Sequence, residues 1–178
     1  MIKKVLFLFA ILAMVATTTN AQKIMLGPQL GYFAPSQEGT DGSILFGGAV
    51  RAKFGSLGIE GAINYRSETT EESGAELKAS FYPVMVSALL YPLPIVYGIA
   101  GIGWYNYKIE MTYNGSSLGD YTDSEIGYHI GAGAEIPLGN IILAADLKYV
   151  FMKYQFENSN TDYDADGLII NATVFFGL

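Results

Sequence analysis

Asp162-Tyr163-Asp164-Ala165-Asp166-Gly167 is the densest run of potential ligands in the chain. Alternating carboxylates followed by a glycine match the front half of a calcium loop, in which the carboxylates converge on a hard cation and the glycine permits a sharp turn. Counted from Asp162, the twelfth position is Thr173 and not the glutamate that closes such a loop. Without that bidentate ligand the affinity falls to about millimolar at best. The run is therefore expected to form an acidic hairpin loop, with Asp162, Asp164 and Asp166 as a weak calcium set. His129 is the only histidine. It is a candidate general base, with Glu125 on the same strand face and Ser124 close by. A serine and a histidine together are what a lipid hydrolase would need. Strand alternation puts His129 on the interior face, away from any lipid substrate. No catalytic residue is assigned and no enzyme activity is expected. The sequence holds no phosphate loop, dinucleotide fingerprint or histidine pair with metal-ligand spacing, and no cofactor is expected.

The elements that position these residues follow a period of two, the strand period. In Ser124–Leu138, Ile126, Tyr128, Ile130, Ala132, Ala134, Ile136 and Leu138 fall on one side, and small or polar residues fall on the other. Similar splits in Lys23–Phe33, Ser43–Phe54, Leu57–Ser67, Ile95–Tyr113, Ile141–Phe156 and Leu168–Leu178, together with Ala75–Tyr91, make eight segments. Their connections alternate. Ala34–Gly42, Glu68–Gly74, Asn114–Asp123 and Glu157–Gly167 are long and polar, whereas Gly55-Ser56, Pro92-Leu93-Pro94 and Gly139-Asn140 are tight turns. Long loops at one end and short turns at the other are the pattern of an up-and-down barrel in a membrane. The stretch Phe81–Tyr107 carries no charge and is long enough for a membrane helix. Its prolines, Pro83, Pro92 and Pro94, oppose a helix and favour a hairpin.

Periodicity alone does not say which face meets lipid, since a soluble barrel inverts the alternation. Size and charge decide it. Glycine, alanine and charges suit the crowded inside of a small barrel, and bulky aliphatics suit acyl chains. Two aromatic bands agree with this: Tyr32, Tyr65, Tyr105, Tyr107, Tyr128 and Tyr149 toward the loop ends, and Phe54, Tyr91, Tyr97 and Phe176 toward the turn ends. The facing of Ala75–Tyr91 stays open. Lys78 and Ser80 share a parity with Val84, Val86 and Leu90. Either a bulge near Pro83 switches faces, or the turn-end lumen is packed with apolar side chains, and the second is preferred.

The inward parity collects six bases, Arg51, Lys53, Arg66, Lys78, Lys108 and Lys148, and five acids, Glu60, Glu110, Glu125, Glu135 and Asp146, with His129 beside them. An eight-stranded barrel is wide enough only for side chains to fill it. Its charges must pair or be hydrated, because an unpaired buried charge costs several kcal/mol. These residues are read as a salt-bridged plug, with a narrow cation-preferring pore as the alternative. The other acids lie in or beside the long loops. The full chain has a net charge of −7, with 51% hydrophobic and only 15% charged residues. That balance excludes binding nucleic acid through its phosphates. Zero cysteines exclude disulfides, thiol nucleophiles and a lipid-anchored cysteine.

The N-terminus reads as an address. Lys3 and Lys4, the apolar run Val5–Val15 and a polar stretch ending at Ala21 have the layout of a cleaved secretory signal peptide, 1–21. The barrel domain is then 22–178. The stretch Gly131-Ala132-Gly133-Ala134-Glu135, the strand Leu147-Lys148-Tyr149 and the closing Asn171–Leu178 resemble the small eight-stranded outer-membrane barrels of Gram-negative bacteria, the OmpX and OmpA-domain type. That resemblance implies an all-β, eight-stranded antiparallel up-and-down transmembrane barrel, exported by the Sec route. It also implies a C-terminal strand read by the barrel-assembly machinery. The family pattern usually ends in an aromatic residue; here Leu178 is last and Phe176 supplies the ring. The family includes structural proteins, adhesins and a few lipid-modifying enzymes, so the expectation for function is a structural or interaction role at the cell envelope. The expected partners are outer-membrane lipid, lipopolysaccharide and an extracellular ligand at the loops, for a chain expected to be monomeric.

Overall fold

The computed structural model describes residues 22–36, 42–72, 75–113, 116–155, 162–164 and 166–178. The proposed signal peptide, 1–21, lies outside the described residues. The strands are β1 (Gln22–Pro35), β2 (Ser43–Phe54), β3 (Leu57–Glu72), β4 (Ala75–Leu93), β5 (Val96–Tyr113), β6 (Ser116–Leu138), β7 (Ile141–Phe151), β8 (Lys153–Gln155), β9 (Asp162–Asp164) and β10 (Gly167–Gly177). Eight of them close a barrel in the order β1-β10-β7-β6-β5-β4-β3-β2, and β8 pairs with β9 beyond β7 and β10. Every pairing is antiparallel. The uncharged stretch forms the β4–β5 hairpin, as its prolines require. The hairpin turns at Pro94-Ile95, slightly later than Pro92-Leu93-Pro94. Gly55 and Gly139 hold left-handed φ values of 62° and 66° in the other two tight turns, a conformation that glycine adopts without strain.

Two of the four expected long loops are mostly strand. Glu68–Glu72 continues β3, and Ser116–Asp123 belongs to β6. A tilted strand crosses a bilayer in about 9–11 residues. β4, β5 and β6 have 19, 18 and 23 residues, whereas β1 and β2 have 14 and 12. The barrel therefore rises into a tall wall on the β3–β6 flank. Polar sequence there is misread as loop because a strand that leaves the membrane meets water on its outer face.

The same height effect corrects the facing of two strands. In β4 the register against β5 runs without interruption from Leu90 through Pro83 to Ala75, so no bulge switches the faces. Phe81, Met85, Ser87, Leu89 and Tyr91 are buried inside. Val84, Val86, Ala88 and Leu90 face outward, on the parity of Lys78 and Ser80, contrary to the preferred reading. In β5 the parity expected from sequence is inverted. Tyr97, Ile99 and Tyr105 are buried, and Tyr107 packs against the same core. Asn106, Lys108 and Glu110 lie on the outer face with Ile102. Tyr91, Tyr97, Tyr105 and Tyr107 are therefore interior residues and leave the proposed aromatic bands. Tyr32, Tyr65 and Tyr128 remain exposed outside. The outward girdle also contains Tyr82 and Trp104, which flank Pro83 and Tyr105 on the outer parity.

Candidate functional site

The interior carries the chemistry, and the pairing register builds it. Arg51 and Glu60 are direct partners across β2 and β3, and Asp146 and Asn171 across β7 and β10. Arg51 is fully buried. Its Nε donates to Glu60 Oε2 at 2.8 Å, its Nη1 to Glu135 Oε2 at 2.9 Å, and its Nη2 to the Tyr97 hydroxyl at 3.0 Å. The rings of Tyr97 and Phe175 lie 4.5 and 4.6 Å from the guanidinium carbon. Lys53 completes Glu135 at 2.6 Å, and the Tyr91 hydroxyl donates to the same carboxylate at 2.9 Å. Lys148 is 3.2 Å from both Glu60 and Asp146, and Asn171 Nδ2 donates to Asp146 Oδ1 at 3.0 Å. Arg51, Lys53 and Lys148 thus interlock with Glu60, Glu135 and Asp146, three charges of each sign.

The Gly131–Glu135 stretch explains how so many side chains fit. Gly133 lies between Tyr97 and Asp146 in the register. A Cβ on Gly133 would come within 2.5 Å of the Tyr97 ring. The missing side chain is what leaves room for that ring beside Arg51.

Above this ionic layer the interior turns apolar. Phe33, Phe81 and Tyr105 pack with Met85, Met152 and Ile169. Arg66 faces Phe33 and Phe81 at 5.8 and 5.3 Å and reaches Glu68 at 3.5 Å. Glu125 shares the inner parity and has no ion pair among the described residues. Lys78, Lys108 and Glu110, read from sequence as luminal, belong to the outside of the wall. They stand in register with Thr69, Ser80, Asp120 and Thr122, beyond the aromatic girdle. Of the charges assigned inward from the sequence, Arg51, Lys53, Arg66 and Lys148 lie inside with Glu60, Glu125, Glu135 and Asp146, and Glu68 and Asp123 share the inner parity toward the loop end.

His129 is buried, and its neighbour is Ser87 rather than Ser124, which faces outward. Ser87, Gly101 and His129 share one row across β4, β5 and β6. With no side chain on Gly101, His129 Nε2 reaches Ser87 Oγ at 2.8 Å. His129 Nδ1 has no partner among the described residues, so no acid orients the imidazole as a base. The side chains of Asp162 and Asp164 lie outside the described residues. Asp166 is engaged by backbone and tyrosine: Met152 N donates to Oδ1 at 3.0 Å and the Tyr149 hydroxyl to Oδ2 at 3.3 Å. Among the described residues no cluster of three or more histidine, cysteine, aspartate or glutamate side chains is arranged for a metal.

Sequence reasoning missed the tyrosines of the ionic layer. The signal was present: Tyr97 shares its parity with Gly101 and Gly103, the small residues expected inside.

The model of the outer membrane protein beta-barrel domain matches residues 5–176. No curated protein sequence matches the chain. Solved structures similar to it include a major outer membrane protein from Thermus thermophilus, with 14% identity, a TM-score of 0.66, and 89% of this chain and 100% of that chain covered. Another is Ail, the attachment invasion locus protein of Yersinia pestis, solved in complex with the heparin analogue sucrose octasulfate. It shows 16% identity, a TM-score of 0.58, and 88% of this chain and 95% of that one covered. OprG from Pseudomonas aeruginosa shows 11% identity, a TM-score of 0.54, and coverage of 89% and 96%. These likenesses share one architecture, eight antiparallel strands in a ring across the outer membrane of Gram-negative bacteria. With the family model spanning nearly all of its length, the chain belongs to the outer membrane protein beta-barrel domain family.

Proposed function

We propose that the protein is a non-conducting, non-enzymatic barrel that serves a structural or interaction role at the cell envelope, with its interior plugged by its own side chains. The observation that carries this reading is Arg51. Its guanidinium is fully buried, bridges Glu60 and Glu135, and is held between two aromatic rings at the turn end of the lumen. An ion crossing the barrel would have to separate charges that are already paired in a low-dielectric space, where breaking one pair costs several kcal/mol. The N-terminal 21 residues serve as the export signal for the Sec route, and the last strand is read by the barrel-assembly machinery. Once folded, the protein is a monomer whose partners are outer-membrane lipid, lipopolysaccharide and an extracellular ligand at the acidic rim.

The test is single-channel recording in planar bilayers with protein whose folding is verified by unboiled against boiled gel mobility. A silent bilayer is the expected result. Reproducible cation-selective steps would replace this reading with the pore.

A further inference from the structure

We propose that Gln29, Asn64 and Asn171, with Asp146 beside them, form a closed site for ordered water in the lumen, between the ionic layer and the apolar layer above it. The inference goes beyond the plugged-barrel reading. It concerns what fills the space between the two seals, and conductance plays no part in it.

The site follows from the register. Asn64, Gly47, Gln29, Gly31, Asn171 and Asp146 share the inner face of five strands that are consecutive in the ring, β3, β2, β1, β10 and β7. Gly47 is the direct partner of both Gln29 and Asn64, and Gly31 is the direct partner of Asn171. Glycine at these two positions hollows the wall. A Cβ on Gly47 would come within 2.5 Å of Asn64 Oδ1, and one on Gly31 within 2.6 Å of Asn171 Oδ1. Each amide therefore leans over the neighbouring strand, toward β1 and Gln29. Arg51 and Glu60 lie four residues nearer the turn end than Gly47 and Asn64. Leu45, Phe33 and Ile169 lie two residues nearer the loop end than Gly47, Gly31 and Asn171, and belong to the apolar cluster.

Gln29, Asn64, Asn171 and Asp146 are each at most 4% exposed. Gln29 Nε2 donates to Thr173 Oγ1 at 2.9 Å, and Asn171 Nδ2 to Asp146 Oδ1 at 3.0 Å. That leaves Gln29 Oε1, Asn171 Oδ1, Asp146 Oδ2 and both amide atoms of Asn64 without a partner among the described residues. Buried polar atoms are nearly always hydrogen-bonded, to protein or to ordered water. Here the adjoining positions, Gly31 and Gly47, supply no side chain to do it. The mixture of groups selects the occupant. Four acceptor oxygens turn an anion away. A cation is redundant, because Lys148 already stands 3.2 Å from Asp146 in a layer whose charges balance. Water donates to the oxygens and accepts from Asn64 Nδ2, and a site both polar and roomy is what buried water requires. Asp146 thereby meets water on its free oxygen, whereas Arg51 stays dry between its rings.

The test uses the full folded barrel, isotope-labelled, in micelles of a phosphocholine detergent that has no exchangeable protons. Long-lived water beside Asn64 gives NOE and ROE cross peaks of opposite sign between the water line and the side-chain amide, whereas proton exchange gives peaks of one sign. Opposite-signed peaks at Asn64 are the expected result. Asn64→Leu is expected to weaken the corresponding peaks of Gln29 and Asn171 and to shift the unfolding midpoint in lipid vesicles to lower urea, since the waters lose a partner. In a dry lumen the same substitution removes an unpaired amide and raises the midpoint. Absence of the Asn64 peaks, or an unchanged or raised midpoint, overturns the proposal. So does an Asn64 amide resonance that moves saturably when sodium or potassium chloride replaces choline chloride, which would put a cation there. The plugged-barrel reading, tested by conductance, stays intact in each case. Gel mobility verifies the fold of the variant; if it does not fold, the wild-type peaks and the salt series decide alone.

Discussion

Arg51 is the residue on which the interior depends most. Burying a guanidinium is tolerable only because carboxylates and hydroxyls meet its donors. Truncating it leaves Glu60 and Glu135 under-compensated, each with one lysine remaining, Lys148 and Lys53. Arg51→Ala should lower stability by about 3 kcal/mol, measured by reversible urea unfolding in lipid vesicles. At the other end of the molecule, Glu110 tests the outward assignment. The hydrogen bond and charge of Lys108 hold its carboxyl below the usual carboxylate range. Because the folded value is depressed, the contribution to stability is complete above the unfolded pKa and is lost as pH falls through the folded one. The same contact raises the Lys108 ammonium above its ordinary value, so that contribution is lost only as pH rises through the raised value. NMR titration should place the Glu110 midpoint below that of a free glutamate, and Lys108→Gln should move it upward. An unchanged midpoint would contradict the contact.

At the scale of the strand, alternation was legible and facing was not always so. β6 and β7 could be read directly, because their bulky and small residues separate cleanly along most of the membrane span. β4 and β5 could not. Their inner faces carry Phe81, Met85, Leu89, Tyr97 and Tyr105, as apolar as anything turned to lipid, and their outer faces become charged at Lys78 and Lys108 once they leave the membrane. A parity rule that assigns charge to the inside fails where the outside is water, and height along a strand is not encoded in period. The ionic pairs were legible as a set and not as contacts, since Arg51 meets Glu135 only when distant strands close into a ring. This placement makes a sharp prediction. Ile102→Arg, on the lipid-facing level, should cost about 2–4 kcal/mol of stability, whereas Asn106→Arg, four residues further along the same face, should cost about 0–1 kcal/mol. Urea unfolding in vesicles distinguishes them, and equal costs would place both at one depth.

For the molecule as a whole, the balanced ionic layer and the acidic exterior have separate tasks. The inside neutralises itself through Arg51, Lys53 and Lys148 against Glu60, Glu135 and Asp146, while the chain's surplus negative charge is left to the rim. If the barrel is non-conducting, Lys148→Gln and Glu135→Gln should leave a planar bilayer silent as well, because aromatic and aliphatic side chains still fill the space above the ionic layer. The unequal strands give the exterior a direction. β1 and β2 stop at Pro35 and begin at Ser43, while β4, β5 and β6 climb well past the lipid. An antibody or a phage fibre travelling sideways over the cell surface therefore meets a parapet on one flank and a low sill on the other, so its access to the mouth depends on the compass bearing from which it arrives.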